Sequence, residues 1–116
     1  MVLAELWFDG LPPNPNSRRH WRKVHADNQV WKQMAAILAR NAYKGAPADK
    51  CSVSYTFQVA DNRRHDLDNL IASTKPITDG LVGVLFVDDD IDSLTLTYSA
   101  NRAKPRGIRV LINSME

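Results

Sequence analysis

Two aspartates two residues apart, Asp66 and Asp68, sit in the run Arg63-Arg64-His65-Asp66-Leu67-Asp68-Asn69, and a denser acidic run, Asp88, Asp89, Asp90 and Asp92, follows later in the chain. Carboxylate oxygens are hard ligands, and Mg²⁺ keeps several of its waters, so two or three convergent carboxylates suffice to hold it. On an extended segment alternate side chains share a side, which would project Asp66 and Asp68 together. A further acid from the Asp88–Asp92 run would complete such a site if the fold brings the segments side by side. Lys75 lies one to two helical turns after Asp68. A bent helix would point its ammonium back toward the metal, where it can bind a scissile phosphate or offset developing charge. The same residues also have an ordinary account: Asp66 or Asp68 caps a helix, Lys75 pairs with Asp79 at i,i+4, and Asp88–Asp92 is a polar loop.

The cations are placed to suit a polyanion. Arg18, Arg19, Arg22 and Lys23 cluster with His20 and His25, and Arg102, Lys104, Arg106 and Arg109 form a second group. Residues 1–60 hold eight basic and four acidic side chains, and residues 61–116 hold seven and nine, so the formal net charge is only +2. The sum alone does not mark a nucleic-acid binder, but basic clusters flanking concentrated carboxylates suit a polyanion held over a metal. Trp21, among arginines, is a candidate for stacking on an exposed base, whereas Trp7 and Trp31 fit core faces. Solvated faces of mixed sign are the competing account of each charge run.

Other chemistries fail on residue type. Asp88, Asp90 and Asp92 imitate the start of a calcium loop, but Ser93 holds the glycine position and Ser99 the bidentate-glutamate position. No phosphate-cradling glycine loop with its lysine precedes the acidic run. The three histidines lack a compact metal-ligand spacing, and the single cysteine, Cys51, excludes a zinc cluster or an internal disulfide and suits a reducing compartment. The longest apolar run, Leu81 to Val87, is far short of the roughly 18 residues of a membrane span. The first residues have no basic region before an apolar stretch, so a cytoplasmic protein without a secretory leader is expected.

The elements that must position these residues follow from periodicity. Leu3–Phe8 reads as a strand, ended by Asp9-Gly10 and the turn Leu11-Pro12-Pro13-Asn14-Pro15-Asn16. Residues 17–25 show neither period and are expected to be a loop. Asp27 is the expected N-cap of a helix carrying Val30, Trp31, Met34, Ile37, Leu38 and Ala42, stopped by Gly45 and Pro47. Cys51 to Val59 alternates as a half-buried strand. Leu67, Leu70, Ile71, Ile77 and Leu81 mark a second helix, with Asn69 or Asp68 near its start. Pro76 should kink it or split it into two, with Ser73 or Thr74 capping the second piece. Leu94, Leu96 and Tyr98, then Ile108, Val110 and Ile112, make two further strands. At 116 residues the chain makes one domain, 1–116, of the α+β class: βαβαββ order, a mixed four-stranded sheet packed with two helices.

In its proline turn, its Arg63–Asn69 segment, Lys75-Pro76 with Asp79-Gly80-Leu81, and the Asp88-Asp89 pair after an apolar run, the chain resembles the RusA family of Holliday junction resolvases. The resemblance covers most of the chain. It implies a small α+β homodimer that binds four-way DNA junctions and nicks two strands symmetrically with Mg²⁺, for which Mn²⁺ is an expected substitute, and with no small-molecule cofactor or membrane partner. Carried over, Asp66, Asp68 and Asp89 are the metal-holding carboxylates, with Asp88 and Asp90 as rivals to Asp89, and Lys75 is the motif lysine. The spacing from Asp68 to Lys75 is about one helical turn longer than in the best-known form of the motif. Arg18, Arg19, Arg22, Lys23, Arg63 and Arg64 are then expected on the DNA backbone, where they position without reading sequence. Two other readings stand beside this one: a non-catalytic junction- or duplex-binding protein, and a metal-dependent nuclease of lower structure selectivity.

Overall fold

Strict alternation in Cys51–Val59 puts Cys51, Val53, Tyr55, Phe57 and Val59 on one side, and in the computed structural model all five are buried. The structure describes residues 1–15 and 21–115. This strand, β2, sits in a four-stranded sheet with β1 (Val2–Asp9), β3 (Leu94–Arg102) and β4 (Gly107–Ser114), in the order β1-β4-β2-β3. β4 runs antiparallel to both β1 and β2, and β3 runs parallel to β2. The registers line up apolar rows across the sheet: Ala4, Ile112, Val53 and Leu96; then Leu6, Val110, Tyr55 and Tyr98; then Phe8, Ile108, Phe57 and Ala100. The expected mixed four-stranded α+β architecture is what the chain adopts.

The opposite face is polar. Thr97 donates to the Ser54 hydroxyl at 2.8 Å, the Thr56 and Ser99 hydroxyls lie 3.3 Å apart, and Arg109 pairs with Glu5 at 3.5 Å.

Three helices cover the apolar face: α1 (Trp21–Ala42), α2 (Leu67–Ser73) and α3 (Lys75–Leu81). The second helix expected from the sequence is thus split at Thr74. Pro76 lacks the N–H that would continue the ladder and its ring would meet the carbonyl of residue 72, so it is accommodated only in the first turn of a new helix. The carbonyls left at the end of α2 are met by hydroxyls. Ser73 Oγ donates to Leu70 O at 2.6 Å and Thr74 Oγ1 to Ile71 O at 2.7 Å. Thr74 does occupy the N-cap position of α3, but its side chain faces back to α2 and does not cap.

One boundary departs from the sequence reading. α1 begins at Trp21, so residues 21–25 are helix and Asp27 lies inside it. At the start of α2, Asp68 and Asn69 lie in the first turn as expected, and Asp66, one of the two expected caps, takes the N-cap position without a side-chain capping bond. No helix among the described residues is long and apolar enough to cross a membrane.

α3 is the tightest element. Pro76, Ile77, Thr78, Gly80 and Leu81 are buried, and the Tyr55 hydroxyl of β2 meets Thr78 Oγ1 at 2.5 Å. Thr78 directs its own proton to Thr74 O at 3.3 Å, which leaves Tyr55 as the donor. Burial pushes the Tyr55 phenol well above its ordinary value, so it stays protonated. At Gly80 a Cβ would run into the Lys32 backbone carbonyl and come within 2.8 Å of Ala35 Cβ. Only glycine lets α3 lie this close to α1.

Gly80→Ala is therefore expected to destabilise the fold by about 2 kcal/mol, because overpacking against a fixed backbone outweighs the helix-propensity gain of alanine. Urea unfolding checks this as a lowered midpoint at unchanged slope. An unchanged or raised midpoint would mean that the two helices separate freely.

Candidate active site

Asp66 stands at the entrance to α2 with extended backbone (φ −75°, ψ 124°), and Asp68 is already in the helical first turn. Alternate side chains share a side only where both residues are extended, and here only Asp66 is. Both carboxylates nevertheless lie at one end of α2, and both residues are exposed. The Asp66 carboxylate forms an ion pair with Arg64 Nη2 at 3.2 Å.

Lys75 opens α3, and the split at Thr74 sets its direction. Its Nζ donates to Asp79 Oδ1 at 2.7 Å and reaches Asp89 Oδ2 at 3.4 Å. The ordinary i,i+4 pair and the contact with the acidic run therefore coexist on one ammonium. The Asp79 hydrogen bond first, and Asp89 behind it, hold the Lys75 ammonium above the usual lysine value, against a smaller opposing effect of burial. It is charged throughout the physiological range.

The three adjacent acids separate by what they already hold. Asp88 Oδ1 accepts the Asp89 amide at 2.8 Å, and Asp90 Oδ1 accepts the Ser93 amide at 2.9 Å; the Ser93 side chain first, and its amide after it, keep the Asp90 carboxyl below the ordinary range. Both are turn-forming aspartates of their own loop. Asp89 is the acid of this trio that reaches across to α3.

A cleft of about 620 Å³ lies between the proline turn, α1 and the start of α2. Asp66, Asp27, Asn14, Asn69, Arg64 and Arg106 contribute its polar lining and Trp31 part of its apolar wall. A second cleft, of about 280 Å³, contains Lys75, Asp79, His25 and Lys32, and shares Pro13 and Ser73 with the first. Asp66 and Lys75 thus face adjoining clefts. Asp27 and Arg106 are lining residues that the sequence reading did not place here. Val24, Asp27, Asn28 and Trp31 recur at helical spacing on the half-buried side of α1, but two of the four are polar. That interruption hides the helical period in the sequence.

The loop ahead of Asp66 is pinned by Asp61. Its Oδ1 accepts from His65 Nε2 at 2.8 Å and from the Arg63 amide at 3.0 Å, and Arg102 Nη1 of β3 donates to its carbonyl at 2.7 Å. The His65 hydrogen bond is the chief reason the Asp61 carboxyl is held below its usual value.

Of the cations expected on DNA, Arg22 and Lys23 are exposed in the first turn of α1, and the Arg22 guanidinium lies 5.4 Å from the centre of the exposed Trp21 ring. Arg63 and Arg64 project from the Asp61–Asp66 loop, with Arg63 also 3.7 Å from Asp61. Arg18 and Arg19 lie outside the described residues.

Among the described residues no three of His, Cys, Asp and Glu converge on a point that could hold a metal ion. The carboxylates expected as ligands are hard oxygen donors, which suit Mg²⁺ over Zn²⁺. Mg²⁺ is commonly held by one or two carboxylates with water and substrate phosphate, and of Asp66 and Asp68 it is Asp66 that lines the larger cleft. Asp89 is engaged with Lys75. No protein-family model matches the chain, and no curated protein is similar enough to count as a relative.

Asp79→Asn is expected to bring the Lys75 titration midpoint down toward the ordinary value, and Asp89→Asn to do so by less, because its contact is longer. The sign follows from linkage: a raised amine contributes its pairing below the unfolded value and loses it as pH rises through the folded one. Nζ-detected NMR titration of the two variants checks the order, and a larger shift in Asp89→Asn would reverse the ranking of the two contacts.

Proposed function

We propose that this chain is a Mg²⁺-dependent, structure-selective endodeoxyribonuclease that resolves four-way DNA junctions by paired nicks, as its resemblance to the RusA family implies. The observation that supports it best is the contact of Lys75 with Asp89 at 3.4 Å, which joins the motif lysine to the acidic run. Asp66 and Asp68, at the start of α2, would hold the metal, while Asp89, the third carboxylate the resemblance implies, is held on Lys75. Bound Mg²⁺ supplies charge neutralisation at the phosphate and a more acidic water.

The protein's own groups do the positioning. Lys75, held between Asp79 and Asp89, presents one ammonium to a non-bridging phosphate oxygen, where negative charge grows during attack. Its two carboxylate partners keep that side chain from wandering. Arg22, Lys23, Arg63 and Arg64, with Arg18 and Arg19, lie along the backbone and contribute affinity that falls as salt rises. Two strands cut symmetrically call for two such sites about a two-fold axis, hence a homodimer acting on branched DNA. Its working compartment in this reading is the cytoplasm.

A second reading has its own observation. Asp66 is paired with Arg64 and Asp89 with Lys75, so these acids also serve as ion-pair partners within a junction-binding protein that does not cut.

Cleavage of a labelled four-way junction and of its linear duplex control, with Mg²⁺ or EDTA, separates the readings. The expected result is paired nicks on the junction alone, lost with EDTA, and reduced by at least about a hundredfold in Asp68→Asn while junction binding persists. Binding that is indifferent to Mg²⁺ with no cut under any condition would leave the non-catalytic reading. Equal cutting of both substrates would mean a nuclease without junction selectivity.

A further inference from the structure

Of the second basic group, Arg102, Lys104 and Arg106 lie on the strap that joins β3 to β4. Because β2 stands between those two strands, the strap crosses over the end of β2, and it is bonded on both sides as it passes. The Ala103 amide donates to Val59 O at 3.3 Å, Gln58 Nε2 to Pro105 O at 2.7 Å, and the Gly10 amide to Arg106 O at 3.1 Å. Arg102 is engaged by the Asp61 loop. The residue after Arg106 is Gly107, pressed so close to β1 that a Cβ would run into the Phe8 carbonyl and the Trp7 ring. The backbone of Arg106 is thus fixed from two directions. Its guanidinium lies over Gly10, with Nη1 3.7 Å from where a Cβ would stand, and the residue lines the larger cleft beside Asp66, Asn69 and Arg64. Arg64 is paired with Asp66, whereas among the described residues no carboxylate is paired with Arg106.

We propose that Arg106 is a phosphate-binding residue of the larger cleft, gripping a phosphodiester of the bound strand that flanks the one cut. That the strand is DNA, and that one of its phosphates is cut, rest on the nuclease reading above; the phosphate chemistry rests on the strap. A guanidinium presents parallel N–H donors that match two phosphate oxygens at once. A fork whose base is already fixed also loses less freedom when it binds. Asp27 and Asp66 line the same cleft and repel a phosphate, which directs it to the side where Arg106 stands. Lys75 lines the other cleft, and the two adjoin at Pro13 and Ser73, so the two cations serve different phosphates of one strand. Arg106 is accordingly a positioning residue: it sets where the strand lies and takes no part in the bond change.

The test is equilibrium binding of the full chain to a labelled four-way junction in EDTA, over a salt series, for wild type, Arg106→Gln, Arg106→Lys and Arg109→Gln. Arg109, paired with Glu5 on the polar face of the sheet, gives up the same charge away from the cleft. Arg106→Gln is expected to weaken binding at least about fivefold and to reduce the slope of log affinity against log salt by about one. Arg106→Lys should restore the slope and part of the affinity, which separates loss of the contact from loss of the fold, and Arg109→Gln should change neither. Junctions carrying a single neutral methylphosphonate, walked along the strand, locate the contact. One position, not the cut phosphate, should weaken the wild type and leave Arg106→Gln unaffected. Equal slopes in wild type and Arg106→Gln, an equal loss in Arg109→Gln, no such position, a position at the cut phosphate, or a chain that binds no junction would each overturn the proposal. An Arg106-dependent phosphate contact on a junction that is never cut would leave the binding site standing and remove the nuclease reading. Paired nicks, with Arg106→Gln binding as the wild type does, would do the reverse.

Discussion

The approach of α3 to α1 at Gly80 fixes most of what lies above the sheet. A helix pressed so close to the Lys32 carbonyl cannot slide without opening the contact, and on its other side the Tyr55 and Thr78 hydroxyls tie it to β2. α3 is therefore held from both sides along its whole short length. Lys75 is its first residue, so the base of that side chain inherits the rigidity although its tip is exposed. The Pro76 break adds to this: α2 is freed to leave in its own direction, and the orphaned carbonyls at the joint are closed by the hydroxyls of Ser73 and Thr74. Ser73, Thr74 and Thr78 are all buried in this joint, and each finds a partner inside it.

What the residues disclosed and what they hid divide along physical lines. Alternation located β2, β3 and β4 because each turns an apolar row to one face, and of the kink or split expected at the proline the chain adopts the split. The start of α1 was hidden because Asp27 and Asn28 occupy inward positions beside the polar cleft, where a period built on apolar residues cannot register them. Site geometry was less legible than site composition. The Asp66 and Asp68 spacing pointed to a shared side only on the assumption of extended backbone, and the helix begins between them at Leu67. Nor could adjacency alone rank Asp88, Asp89 and Asp90. Their roles separate only once the backbone amides of Asp89 and Ser93 claim the first and third.

The clefts and the ion pairs bear on each other. Asp61 binds His65 and the Arg63 amide, and its carbonyl receives Arg102 from β3, so the loop that carries Arg63 and Arg64 is anchored to the sheet edge although its tips are solvated. Exposed pairs of this kind contribute little to stability, on the order of 0–1 kcal/mol each. Their effect is to restrict where the guanidinium groups can point. Lys75 and Arg64 thus stand at the mouths of adjoining clefts, each already held by a carboxylate, and a phosphate arriving there meets cations whose positions are partly set.

The strand order has a consequence for how the chain reaches this state. β4 is the last strand in sequence, yet it lies between β1 and β2, and Ser114 donates its amide to the Met1 carbonyl at 2.8 Å. β1 has no sheet neighbour until β4 arrives, and β2 has only β3 beside it. Local turns cannot assemble such a sheet, because its central pairings join the two ends of the domain and their loop-closure entropy comes before any compensating contact. On a ribosome the first strand waits, edge open and apolar face uncovered, until nearly the whole domain has emerged. Folding is then all or none, with β4 as the keystone.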